Sequence, residues 1–158
     1  MSDFRIVKQY CGDQDRISAA DVAAAVRDLQ SRSSWHGVQI FPDTKPAPDG
    51  IWQFPRLSVG WIQEGGGYLV QCFESVDSRS YLLVARRPLS EPEILMTLGF
   101  FGRGLWPRQC SVPYERALQA IFHFIETGSL DPSLDWVGLN DVSRQPGTRA
   151  SQHQARRG

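Results

Sequence analysis

The segment LSVGWIQEGGGYLVQCFESVDSRSYLLVARR, residues 57–87, decides the fold. From Leu57 onward it alternates. Leu57, Val59 and Trp61 fall on one face, Ser58, Gly60 and Ile62 on the other, which is the period-two pattern of a strand. Glu64, Gly65, Gly66 and Gly67 interrupt it. Glycine tolerates positive φ, so this stretch reads as a hairpin turn. Residues 68–75 and 80–87 form the next two strand patterns, joined by the short link 76–79. Three strands in series with short connections imply an antiparallel meander.

Toward the N-terminus, Pro55 would end ladder pairing or sit at an edge. The stretch PDTKPAPDG (42–50) holds three prolines, two aspartates and a glycine, the composition of a shaped surface loop. Residues 37–41 make a short strand candidate. Phe4 to Tyr10 reads as a first strand, with Phe4, Ile6, Lys8 and Tyr10 on one face. Residues 11–15 read as a polar turn. Ser18 is then placed to cap a helix over AADVAAAVRDLQSR, where Val22, Val26 and Leu29 form one stripe that packs on the sheet.

Toward the C-terminus, residues 88–93 are a Pro-containing connection. Ile94 to Leu98 reads as a strand and FFGRGLWP (100–107) as an aromatic, glycine-bearing loop. VPYERALQAIFHFIETG (112–128) is the clearest helix. Pro113 is expected in its first turn, Glu115 lies near its N-terminus, and Gly128 stops it. Leu118, Ile121, Phe122 and Ile125 form its apolar stripe, widened by Ala117 and Phe124. A turn at Asp131-Pro132 leads to a short strand, Leu134 to Val137. Beyond Asn140 almost nothing is apolar, so residues 141–158 read as a disordered basic tail. The expectation is a single α+β domain over residues 3–140, with a mainly antiparallel sheet and two principal helices.

The whole chain fits these elements. Its 158 residues suit one domain, and 17 basic side chains balance 17 acidic ones. The balance is uneven along the chain. Residues 1–141 carry 13 basic and 17 acidic groups, net −4, whereas residues 142–158 carry four arginines and no acid. That argues against a nucleic-acid binder working through a basic surface. No apolar run approaches the ~20 residues that cross a bilayer. The start lacks the layout of a signal peptide. Cys11, Cys72 and Cys110 are few, spread out and odd in number, which points to free thiols in a reducing cytoplasm.

Motifs for chemistry are sparse. There is no CxxC, HxxxH or HExxH, and His36, His123 and His153 are far apart, so no metal site or cofactor is expected. His123 reads as a partly buried structural histidine and Cys72 as a small buried hydrophobe. The EGGG turn lacks the Lys-Ser/Thr of a phosphate loop, and GFFGRG opens no helix. No catalytic residue is assigned. Surface features say more. Phe100, Phe101, Arg103 and Trp106 share one segment, and Trp and Arg are enriched at interface hot spots. The same rings could instead plug the core. Acidic residues on loops and turns, Asp43, Asp49, Glu64 and Asp77, could complement a basic partner or form a solvated rim. Partner contact is therefore expected from Asp43, Asp49, Glu64, Phe101, Arg103 and Trp106, within loops 42–53, 64–67 and 99–107.

One stretch resembles a known family. VPYERALQAIFHFIETGSLDPSLDW is similar to the C-terminal signature of the first of the numbered immunity-protein families of bacterial polymorphic toxin systems. The resemblance rests on Val112, Pro113, Glu115, Ala117, Ala120, Phe124, Thr127, Gly128, Pro132 and Trp136. The upstream order of elements also fits, over about residues 4 to 138. The resemblance implies a small cytoplasmic inhibitor. It would bind a cognate toxin domain, such as a nucleic-acid deaminase or nuclease, and block its active site without catalysis. The signature residues look structural, so no contact residue is carried over from it. Two other readings stay open: a small-molecule-binding module with an aromatic-lined pocket, and an enzyme reversing a toxin's modification.

Overall fold

A computed structural model describes residues 4–10, 13–31, 36–42, 54–64, 66–74, 79–98, 102–143 and 145–146. The architecture is α+β, with two antiparallel sheets and two helices. The large sheet has seven strands: β1 (Phe4–Tyr10), β2 (Asp13–Ile17), β3 (His36–Pro42), β4 (Arg56–Ile62), β5 (Gly67–Phe73), β6 (Ser80–Val84) and β9 (Asp135–Gly138). Their spatial order is β2-β1-β3-β4-β5-β6-β9. A second sheet, ordered β10-β8-β7, is built from β7 (Ile94–Leu98), β8 (Gly102–Trp106) and β10 (Gln145–Pro146).

The meander forms as its pattern dictates. β4 and β5 pair from Arg56↔Phe73 to Ile62↔Gly67, and β5 pairs β6 from Gln71↔Leu82 to Phe73↔Ser80. Gly66 turns the hairpin at φ 64°, and its N–H donates to the Ile62 carbonyl at 2.9 Å. Gly67 is needed for a different reason. A Cβ there would collide with Ser111 Oγ and come within 2.9 Å of the Val112 carbonyl oxygen. The hairpin is bound to that segment by two backbone hydrogen bonds between Tyr68 and Val112, of 2.8 and 2.9 Å. Gly67→Ala is therefore expected to destabilise the fold by about 1–3 kcal/mol, read as a lower urea midpoint, because backbone must move to admit the methyl group.

The period of two sends alternate side chains into two separate cores. One face of the large sheet contributes Ile6, Val38, Ile40, Leu57, Val59, Tyr68, Val70, Cys72 and Leu83. Both helices cover it: α1 (Val22–Asp28), flanked by single 3-10 turns, and α2 (Tyr114–Thr127). The opposite face contributes Ile62, Leu82 and Val84, which meet Met96, Trp106, Cys110, Leu139 and Val142 from the second sheet and its connections. Each large aliphatic side chain so buried is worth about 1.5–3 kcal/mol.

The α1 stripe forms as expected, with Val22, Val26 and Leu29 all buried. Ser18 stands at the N-cap of the leading 3-10 turn, but its hydroxyl donates to the Asp21 carboxylate at 2.9 Å rather than capping a backbone N–H. The α2 caps hold. Pro113 occupies the N-cap, one position before the expected first turn, and Gly128 closes the C-terminus at φ 73°. The α2 stripe is rotated from the expected one. The fully buried positions are Ala117, Ala120, Ile121 and Phe124, while Phe122 is 40% exposed. Two alanines let the helix lie close to the sheet, and that close approach fixes its rotation.

Three other readings are corrected. Of the expected turn over 11–15, residues 13–15 belong instead to an edge strand, β2, paired with β1 from Ile6↔Ile17 to Tyr10↔Asp13, and residues 11 and 12 lie outside the described ones. The glycine-bearing stretch is β8, paired with β7 from Leu98↔Gly102 to Ile94↔Trp106. The packed chain also runs past Asn140: Val142 is in the second core, and Gln145 and Pro146 pair with Leu105 and Gly104. Of the expected tail, residues 141–143, 145 and 146 are thus part of the fold, and residues 144 and 147–158 lie outside the described ones.

The turn after α2 is organised by one carboxylate. Asp131 accepts from the Ser133 N–H at 2.9 Å, the Ser133 hydroxyl at 2.7 Å and Gln119 Nε2 at 3.1 Å. Its backbone carbonyl accepts from Trp136 Nε1 at 3.0 Å. The bonds from Ser133 and Gln119, with His123 nearby, hold the Asp131 carboxyl below its usual range, against a smaller opposing effect of burial. A depressed carboxylate stabilises the fold above its unfolded pKa, near 3.9, and that contribution is lost as pH falls through the folded value. Asp131→Asn is expected to be less stable at pH 7, with the gap closing below about pH 4. Thermal melts of both proteins across pH 2.5–7 read this directly.

Candidate functional site

An open cleft of about 300 Å³ lies where the two sheets meet. Its walls are Glu64 from the β4–β5 turn, Ala85 and Arg86 after β6, Ile94 at the start of β7, and Arg108, Gln109 and Ser111 after β8. The strand order explains the convergence. The β4–β5 turn, the end of β6 and the exit of β8 all reach the same edge of the second core.

The cleft is held by backbone and by one glutamine. The Ala85 N–H donates to the Gln109 carbonyl at 2.8 Å, and the Ser90 N–H donates to Gln109 Oε1 at 2.9 Å. Gln109 is itself buried, so its amide is a fixed part of the floor. Arg108 Nε pairs with Glu93 Oε1 at 2.9 Å on the rim. The wall is charged and polar, with Ile94 and Ala85 as its apolar members. Its lining holds no aromatic side chain, unlike the aromatic-lined pocket that a small-molecule-binding module would need. Ser111 supplies a hydroxyl, and no imidazole or thiol lines the cleft. Such a lining can fix charged groups of a partner in orientation.

The structure separates the six expected contact residues. Glu64 is exposed and lies in the cleft. Trp106 is 2% exposed and sits in the second core with Met96, Cys110 and Val142, so its ring fills the fold and is not offered to a partner. The register explains this: Trp106 opposes Ile94 at the end of the β7–β8 ladder, facing the large sheet. Arg103 lies within β8, opposite Thr97. Asp43, Asp49 and Phe101, with Asp77, lie outside the described residues. Arg86, Arg108, Gln109 and Ser111 carry no motif that marks them as neighbours.

The large sheet holds a second feature that no motif announces. On its face away from the helices, Val7, Gln39, Ser58 and Gln71 stand in register across four adjacent strands. Arg56 Nη1 donates to Gln39 Oε1 at 2.8 Å, and Gln39 Nε2 donates to Ser58 Oγ at 2.9 Å. The Arg56 guanidinium stacks 4.4 Å from the Phe73 ring. Burial lowers its pKa to about 10, which leaves it cationic at neutral pH. This network rigidifies the sheet centre.

The two thiols among the described residues are sequestered. Burial pushes the thiols of Cys72 and Cys110 up to about 12, with Glu74 adding to the shift at Cys72. Both are free and buried. Among the described residues no cluster of histidine, cysteine, aspartate and glutamate could hold a metal ion. Among them, too, no helix is long and apolar enough to cross a membrane.

No curated protein matches the chain. The family model described as immunity protein Imm1 matches residues 17–138. That span runs from the end of β2 through β9. It includes both helices, the meander and every wall of the cleft, so this chain belongs to the Imm1 family of immunity proteins.

Proposed function

We propose that this protein neutralises a cognate bacterial toxin domain, one acting on nucleic acid as a deaminase or nuclease, by binding it in the cytoplasm and occluding its active site. The family match over residues 17–138 carries this reading. Two further features support it. The cleft is a charged and polar surface suited to recognising a charged partner. The chain up to residue 141 has a net charge of −4, and a toxin that handles nucleic acid presents a cleft built to attract phosphate. Loops 42–53, 64–67 and 99–107 form the contact zone, with Asp43, Asp49, Glu64, Phe101 and Arg103 as its polar and aromatic members. Trp106 holds the last of these segments from beneath.

The test is a titration against the toxin domain encoded beside this gene. A complex near one to one, with toxin activity lost in step with occupancy, is expected. No complex at micromolar concentrations would defeat the proposal. Full protection at a small fraction of one equivalent would instead identify an enzyme that reverses the toxin's product.

A further inference from the structure

Among the described residues, Phe122 is the exposed large hydrophobic side chain, at 40%. It projects from the middle of α2, a 14-residue helix with well-formed caps. At 100° per residue, Glu115, Gln119 and Glu126 all lie within about 60° of Phe122 around the helix axis. All three are exposed. Along the axis Glu115 is about 10 Å to one side and Glu126 about 6 Å to the other. The aromatic ring is therefore bracketed by two carboxylates.

The ring is not an isolated surface hydrophobe. Leu118 and Ile125, at i−4 and i+3, are half-buried against the helix-side core and continue the apolar surface from Phe122 inward. On the other side Gln119 donates to Asp131 and Ser133, which ties the face to the following turn. Arg116, the cation of this helix, lies about 120° from Phe122 and so points elsewhere. The result is an aromatic centre with an apolar shoulder and an acidic rim, the layout of an interface hot spot.

We infer that the outer face of α2 is a docking surface for a basic protein partner, with Phe122 entering an apolar recess and Glu115 and Glu126 meeting cationic groups around it. Under the function proposed above, on which this rests, that partner is the toxin domain, whose phosphate-handling surface supplies the positive charge. A second copy of this chain is a poor occupant, because pairing two such faces sets carboxylates against carboxylates.

The experiment measures toxin-domain affinity for the wild type, Phe122→Ala, the double variant Glu115→Lys/Glu126→Lys, and Arg86→Ala in the cleft. Phe122→Ala is expected to weaken binding about 30-fold or more through faster dissociation. The double charge reversal is expected to slow association and to flatten its salt dependence. Phe122→Ala should melt near the wild-type temperature, and the double charge reversal a few degrees lower, because Glu115→Lys sets a cation in the first turn of α2; affinities are compared at a temperature where all the variants are folded. If the toxin binds the wild type and Phe122→Ala equally well, the docking surface is wrong and the proposed function stands. Loss confined to Arg86→Ala likewise overturns the docking surface and leaves the loop and cleft side as the whole contact. A dimer of this chain, seen by light scattering and dispersed by Phe122→Ala while toxin affinity holds, overturns it in favour of self-association. No complex with the wild type overturns both the docking surface and the proposed function.

Discussion

Trp106→Ala is expected to cost about 3–5 kcal/mol of folding stability, the range for removing a large aromatic side chain from a packed core. The indole fills the space between the two sheets, packed with Met96, Cys110, Leu139 and Val142 against Ile62, Leu82 and Val84. Nothing in that ring of aliphatic groups can collapse far enough to fill the void, because each is fixed by its own strand or turn. Typical domains are stable by about 5–15 kcal/mol, so the loss is a large share of the total. Urea unfolding should show a lower midpoint at an unchanged slope. Toxin affinity per folded molecule should hold. A variant of full stability and lost affinity would return Trp106 to the contact surface.

Phe124→Ala should be comparably severe, about 3–5 kcal/mol, on the other side of the large sheet. Phe124 is fully buried and meets Phe4 edge to face at 5.6 Å between ring centroids. It is the largest group that α2 places in the helix-side core. Its removal leaves a cavity that the neighbouring Ala117 and Ala120 are too small to fill. Two residues earlier, Phe122→Ala should change stability by no more than about 0.5 kcal/mol, as expected of a surface position. Equilibrium unfolding of the two variants side by side tests the rotation assigned to α2. Equal destabilisation would mean that the helix is turned the other way.

That rotation shows where the sequence is readable and where it is not. Pro113 and Gly128 mark the ends of α2 because their backbone preferences act locally. Its buried face is harder to find. Ala117 and Ala120 lie at the centre of the contact, and alanine carries little hydrophobic signal, so Leu118 and Phe122 draw the stripe toward solvent. The same logic applies to the strands. Leu57, Val59, Val70 and Cys72 alternate strongly because a helix layer covers them. The sequence DQDRI does not, yet it pairs as β2 at the sheet edge, where charged residues such as Asp15 and Arg16 deter further pairing. In β8 the glycines disguise a strand whose pairing is supplied by β7 and β10. The cleft is legible only at Glu64. Its other walls, from Ala85 to Ser111, become neighbours through the crossing of one sheet over another, which no local pattern encodes. Arg56 and Gln39 likewise read as surface groups until the register brings them together on the sheet.

The strand order has a consequence for synthesis on the ribosome. In β2-β1-β3-β4-β5-β6 each strand from β3 onward pairs with the one made just before it, or across the β1–β2 hairpin. The sheet can therefore zip up as the chain emerges, because its pairings are mostly between strands made one after the other. The helix that seals most of one apolar face comes later, at Tyr114–Thr127, and the sheet's last strand, β9, which pairs with β6, later still. Between the completion of β6 and the arrival of α2, the nascent chain displays an aliphatic wall of Val38, Ile40, Leu57, Val59 and Val70, partly shielded by α1 alone. That interval is when holdase chaperones would engage it and when crowding of nascent chains would do most harm.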